Sequence, residues 1–180
     1  MTAWEPMLEE LVSTRYRDLV AYARMLTGDA AQAEDLVQDA LIETFGGRRR
    51  FAHIAPAETY VRRVVATRFI DGTRRRSAER RALTRVGAVE TDPGAGPDVT
   101  VEHRTDVERA LALLTPRERA CVVMRYLQHQ SITETAAALG LSDGAVKRYV
   151  HDGIRTLNAA LGTDADPEDV DRVAVEARRN

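Results

Sequence analysis

Residues 135–155 read TAAALGLSDGAVKRYVHDGIR. Small and apolar side chains run to Leu139, and Gly140 can adopt the left-handed conformation that ends a helix. Leu141 serves as the apolar plug of a tight turn, and Ser142 is placed to cap a second helix. Ala137, Leu139, Leu141, Val146 and Val150 supply the packing face, leaving Ser142, Asp143, Ala145, Lys147, Arg148, Tyr149 and Asp152 outside. This is the outline of a helix-turn-helix, whose second helix lies in the major groove of DNA. An ordinary helix pair in a bundle has the same pattern. The second helix is also sparingly basic, with Lys147, Arg148 and Arg155 beside Asp143 and Asp152.

Working outward, the helical signals continue on both sides. Immediately upstream, SITE sets Ser131 and Glu134 as a reciprocal capping box. Before it, TPRE repeats the device with Thr115 and Glu118 and puts Pro116 at the first helical position, opening a helix through RACVVMRYL. Val107, Ala110, Leu111 and Leu114 mark a short amphipathic helix ahead of that one. Downstream, the last helix runs to about Leu161.

The N-terminal part is equally helical. Leu8, Leu11, Val12, Leu19, Val20, Ala23 and Leu26 recur at helical spacing up to the TGD that ends the run. Ala33, Leu36, Val37, Ala40, Leu41 and Phe45 form the stripe of a second helix, broken at Gly46-Gly47. After RRRFAHIAP, a third helix carries Tyr60, Val61, Val64, Val65 and Phe69 on one side and continues as the basic RRRSAERRALTR. Between the halves, VGAVETDPGAGPDVTVE holds two prolines, three glycines and no aromatic residue, so it reads as a flexible acidic linker. A linker of about 20 residues can let two domains sit tens of ångströms apart. No strand-like alternation occurs. The expected fold is all-α: a helical domain at 1–85, a linker at 86–104, a helix-turn-helix domain at 105–162 and an acidic tail at 163–180 with a weak amphipathic pattern.

Charge sharpens this map. The net charge of −2 conceals −6 over residues 1–45 and +9 over residues 48–85, where twelve arginines face only Glu58, Asp71 and Glu79. Residues 86–106 carry −4, residues 107–162 carry +2 and the tail −3. A dense arginine block inside a neutral chain is a footprint for phosphates or for an acidic protein. Its company of Phe51, His53, Tyr60 and Phe69 favours nucleic acid, since a ring can stack on an unstacked base while arginines neutralise the backbone. Tyr60 and Phe69 also suit a core, Phe69 more so.

The opposite charge gathers on the second helix, whose outer face shows Glu34, Asp35, Gln38, Asp39 and Glu43. These carboxylates lack the histidine or second cluster that a metal site requires, so the face reads as solvated or as a protein-docking surface. The four histidines are scattered, and Cys121, the only cysteine, falls in an apolar helical run as a buried thiol. It can form no intrachain disulfide, which fits a reducing cytoplasm. No nucleophile–base set, phosphate loop, membrane span or signal-peptide order is present. Neither a catalytic residue nor a cofactor nor a metal is expected.

Three segments now carry a resemblance. LTGDAAQAEDLVQDALIETF is similar to the polymerase-binding helix of bacterial sigma factors of the extracytoplasmic-function (ECF) group, sigma-70 superfamily, whose usual form is LTGD…AEDLVQE. TYVRRVVATRFIDGTRRR resembles their promoter-opening and minus-ten-reading helix, normally WLxRIAxNxxxDxxRR. Residues 110–157 resemble their minus-thirty-five-reading domain. The match covers about 8–85 and 105–161, in order.

The resemblance implies a dissociable subunit that joins core RNA polymerase and directs it to particular promoters, with no chemistry of its own. By position, Glu34, Asp35, Gln38, Asp39 and Glu43 would face the clamp coiled coil of the polymerase. Phe51, His53, Tyr60, Arg63, Thr67, Asp71, Arg74, Arg75 and Arg76 would contact the minus-ten element, and Ser142 to Asp152 the minus-thirty-five element. An anti-sigma factor is an expected regulator. Tyr60 stands where the family usually has Trp, Thr67 where it has Asn, and Tyr149 and Asp152 where it has Arg. Each lost cation removes roughly one released counterion, so this recognition helix should grip phosphates less tightly than those of relatives. Asp152 could accept from a cytosine amino group or pair with Arg148 at i, i+4. The competing reading is a stand-alone helix-turn-helix regulator that binds operators as a dimer; a third is an interaction protein with an acidic partner.

Overall fold

The computed structural model describes residues 4–47, 49–85 and 105–166, and among them the regular elements are seven α-helices. In chain order these are α1 (Glu5–Thr27), α2 (Ala30–Gly46), α3 (Ile54–Arg85), α4 (Asp106–Ala112), α5 (Pro116–Tyr126), α6 (Ile132–Leu139) and α7 (Asp143–Leu161). The proposed linker and the tail beyond residue 166 lie outside the described residues.

The boundaries follow from local chemistry. Gly28 closes α1 at φ 69° and donates its N–H to Arg24 O at 2.8 Å. Asp29 then caps α2 by accepting from Gln32 N at 2.7 Å, so two residues separate the helices. Helix α3 begins at Ile54, ahead of the sequence expectation, because Pro56 falls in the first turn, where a missing N–H leaves no intrahelical bond unmade. The capping boxes at Thr105/Glu108, Thr115/Glu118 and Ser131/Glu134 are all closed on both sides, and Ser142 accepts from Ala145 N. Gly140 ends α6 at φ 64°.

Helices α1–α3 pack together around Leu11, Leu19, Leu26, Val37, Ala40, Val61 and Val65, and α4–α7 around Leu111, Ala120, Val123, Met124, Val146 and Val150. Phe69 is buried and Tyr60 half-buried. In the helix-turn-helix the inner alanines are Ala136 and Ala138; Ala137 is exposed, one step off the face expected from the pattern. Val107 and Val12 also point outward. Cys121 is fully buried, and burial pushes its thiol up to about 12.

Helix α5 is the central member, with every residue from Arg119 to Arg125 buried. A contiguous apolar run, Ala120 to Met124, marks a helix covered on all sides. It packs on α7 and α6 and also on α1 and α3, so the two groups of helices share one continuous apolar cluster instead of standing apart.

The close crossing of α5 and α7 requires Gly153. A Cβ there would meet Val122 Cγ2 at 2.7 Å, and Val122 is buried and short-branched. Ala in place of Gly gains about 1 kcal/mol of helix propensity, but overpacking costs about 1–3 kcal/mol. Gly153→Ala is therefore expected to destabilise the chain by about 1 kcal/mol net in urea unfolding. In a Val122→Ala background the same substitution should become stabilising; a Gly153→Ala effect that is the same in both backgrounds refutes the steric account.

Candidate functional site

The exposed face of α2 carries the five predicted polar residues. Glu34, Asp35, Gln38, Asp39 and Glu43 all point away from the stripe of Ala33, Val37, Ala40 and Phe45. Two of them are bridged within the chain: Arg68 of α3 donates from Nε to Glu43 at 2.7 Å and from Nη1 to Asp39 at 3.1 Å. These are exposed pairs, worth about 0.2–1 kcal/mol each. Ile42 stands among the acids at 70% exposure, an apolar projection that the sequence stripe did not isolate. The face thus combines carboxylates with one apolar anchor.

The second surface lies on α3 and the segment before it. Phe51, half-buried, packs between Phe45 and Tyr60 with ring centroids 6.0 and 5.8 Å away. Arg49 lies over the Tyr60 ring at 4.3 Å, a cation–π contact that joins ring and charge as the composition suggested. His53, Arg63, Asp71 and Arg74 to Arg76 are exposed. Thr67 behaves otherwise: its hydroxyl donates back to the Val64 and Arg63 carbonyls of its own helix. The structure therefore gathers the aromatic residues with Arg49 and Arg63 at one end of α3 and leaves Asp71 and the arginine triplet further along it.

The third surface is the start of α7. Ser142, Asp143, Lys147 and Arg148 are exposed, and Ala145, Tyr149 and Asp152 half-buried. Asp143 accepts from Thr133 of α6 at 2.8 Å, which fixes the turn. Asp152 lies 3.8 Å from Arg155, and Arg148 sits over the Tyr149 ring at 5.3 Å. The Tyr149 hydroxyl also meets Arg117 Nη1 at 3.3 Å, and that hydrogen bond chiefly holds the phenol below its usual range. Arg117 escaped the sequence reading because it precedes the helix-turn-helix, 32 residues from Tyr149.

Among the described residues no group of three or more His, Cys, Asp or Glu could hold a metal ion, and no helix is long and apolar enough to cross a membrane. An acidic anchor-bearing helix, a basic aromatic helix and a helix-turn-helix on one all-α scaffold make a DNA-directed factor built to work with a larger protein machine. The comparisons give that class its family. Residues 11–79 match the family model described as Sigma-70 region 2, and residues 104–157 that described as Sigma-70, region 4. The RNA polymerase sigma-E factor of Streptomyces avermitilis is 34% identical over 175 residues, covering 93% of this chain and 90% of the relative. The ECF RNA polymerase sigma factor SigM of Mycobacterium tuberculosis is 31% identical over 139 residues, covering 77% and 69%. Among solved structures, the sigma factor RpoE of Bartonella quintana, in complex with the anti-sigma factor NepR, shares the fold with a TM-score of 0.60. That likeness covers 87% of this chain and 98% of the other at 21% identity. The chain belongs to the ECF group of RNA polymerase sigma factors.

The environment of Tyr149 has a spectroscopic consequence. Burial raises Tyr22 and Tyr126, whereas Arg117 lowers Tyr149, so Tyr149 should ionise before those two in an alkaline ultraviolet titration. Tyr149→Phe should delete the early step. Arg117→Ala removes the donor that favours the phenolate and should move the step to higher pH; an unmoved step would contradict the contact.

Proposed function

We propose that this sigma factor joins core RNA polymerase through the α2 face and reads promoters with two separate surfaces, acting in the cytoplasm as a dissociable specificity subunit. The observation that carries the reading is the segregation of charge: exposed acids on α2 and exposed arginines with packed aromatics on α3 and the segment before it. Glu34, Asp35, Gln38, Asp39 and Glu43 meet the clamp coiled coil, with Ile42 as the apolar anchor at their centre. Phe51, His53, Tyr60, Arg63, Asp71 and Arg74 to Arg76 contact the minus-ten element and the displaced strand. Thr67, whose hydroxyl is turned to its own backbone, serves there through its methyl group or by releasing that bond.

Ser142, Asp143, Ala145, Lys147, Arg148, Tyr149 and Asp152 face the minus-thirty-five element. Residues 1–85 and 105–162 form the two functional domains, 86–104 the connector between them and 163–180 the tail. Strand opening then uses binding free energy, and the polymerase carries out the chemistry. The complex of RpoE with an anti-sigma factor supports similar control of this chain by a protein that covers its binding faces.

Reversing two exposed charges tests the docking face. Truncating or reversing a charge that pairs across an interface costs about 2–5 kcal/mol. Asp35→Arg with Asp39→Arg should therefore weaken binding to core polymerase at least thirtyfold, with thermal stability little changed. Unchanged binding would remove the assignment. In the holoenzyme, Lys147→Ala should lower the salt slope of promoter binding by about 1, the loss of one phosphate contact. An unaltered slope would move Lys147 out of the interface.

A further inference from the structure

Asp39 and Glu43 lie one turn apart on α2, a like-charge pair that a cation set between them relieves. In the free chain that cation is internal. Arg68 reaches across from α3, with Nε on Glu43 Oε2 at 2.7 Å and Nη1 on Asp39 Oδ2 at 3.1 Å. One guanidinium thus offsets one of the four charges that Glu34, Asp35, Asp39 and Glu43 present. It also fills the position that a partner's cation would take. Arg68, Asp39 and Glu43 stay open to water, at 39%, 61% and 47% exposure, so the two pairs are weak enough to exchange.

Exchange would not send Arg68 far. It borders a cleft of about 480 Å³ between α2 and α3, with Asp35 and Asp39 on one side and Asp71, Arg75 and Arg76 on the other. Arg75 stands two helical turns beyond Arg68 on α3, so both guanidiniums project from one stripe of that helix. Arg68 therefore sits at the seam between the acidic face and the arginines assigned above to the promoter strand. Rotation about its side-chain torsions is enough to turn it from one to the other.

We propose that Arg68 is an exchangeable counter-ion: it shields the docking face in the free chain, is displaced by cations of the clamp, and then serves the promoter strand as an added phosphate contact. This rests on the docking and minus-ten assignments under Proposed function. It links the two electrostatically, through one side chain. By reciprocity, a strand that holds Arg68 leaves Asp39 and Glu43 open to the clamp. Asp71 is the competing receiver, three residues along α3 on the same cleft; a pair formed there would keep the guanidinium from the phosphates.

The test follows Arg68→Ala in the full chain, first for equilibrium binding to core polymerase over a range of salt, then as preformed holoenzyme for promoter binding. Core binding should tighten about two- to thirtyfold at low salt, the range that two exposed pairs allow. The gain should shrink as salt rises. The slope of log promoter affinity against log salt should fall by about 1, the loss of one phosphate contact. Arg68→Lys keeps a cation for the strand and should keep the wild-type slope. In an Asp39→Asn, Glu43→Gln background, Arg68→Ala should bring no gain, because no carboxylate is left to uncover. Core binding that is unchanged or weaker for Arg68→Ala overturns the shielding. An unaltered promoter slope, as pairing with Asp71 would give, overturns the hand-over to the strand. Asp35→Arg, outside the Arg68 bridge, reads the docking face separately. If it binds core as tightly as wild type, the docking assignment fails and the shielding with it. If it binds weakly while Arg68→Ala gains nothing, the docking face stands and the Arg68 inference alone falls.

Discussion

The Arg119 guanidinium is the constraint on which the assembly of the two halves turns. Arginine keeps its charge at any accessible pH, so a buried guanidinium must find acceptors or the fold cannot tolerate it. The acceptors here are backbone carbonyls near two helix ends, Leu26 O of α1 and Leu111 O of α4. Removing the cation would take this donor from Leu26 O, a cost of about 1–3 kcal/mol, while Leu111 O keeps the Leu114 N–H at 3.2 Å. One side chain thereby ties the end of α1, which Gly28 closes, to α4 and to the enclosed α5.

From that centre the rest of the arrangement follows. Helix α5 is short, capped by Thr115 and Glu118 and apolar from Ala120 to Met124, so that turn must be covered on every side. Helices α6 and α7 cover it from within their own half, and the close approach of α7 is possible because position 153 has no side chain. Helices α1 and α3 complete the cover. The helix-turn-helix is positioned by this packing, and the aromatic end of α3 is brought against it by the same contacts.

Much of this was legible in the sequence because it is local. The capping boxes at Thr115 and Ser131, the stop at Gly140, the stripe from Ala33 to Phe45 and the outward acids opposite it are all set by residues within a turn or two of each other. The resemblance of three segments to ECF sigma factors then fixed the family, which relatives covering most of the chain bear out. What escaped was non-local. Arg68 reaches residues 25 and 29 positions away, Arg117 reaches 32 and Arg119 reaches 93. A charge count placed Arg68 in a basic block when its geometry pairs it with the acidic face. Similarly, a linker rich in Gly, Pro and acids lets the halves sit apart or together, and no pattern within either half revealed the contacts of Arg63 and Arg119 with carbonyls of the other.

The modest charge of the recognition helix acquires a physical purpose once the two readers are considered as one system. In the proposed reading, a helix with Lys147 and Arg148 but with Tyr149 and Asp152 nearby would bind few phosphates, and its affinity for stray duplex would be correspondingly low. Two weak readers held on one polymerase act by effective concentration, so their combined affinity does not need either to be strong alone. Adding cations to α7 would raise non-specific binding by the free chain as well as promoter binding by the holoenzyme.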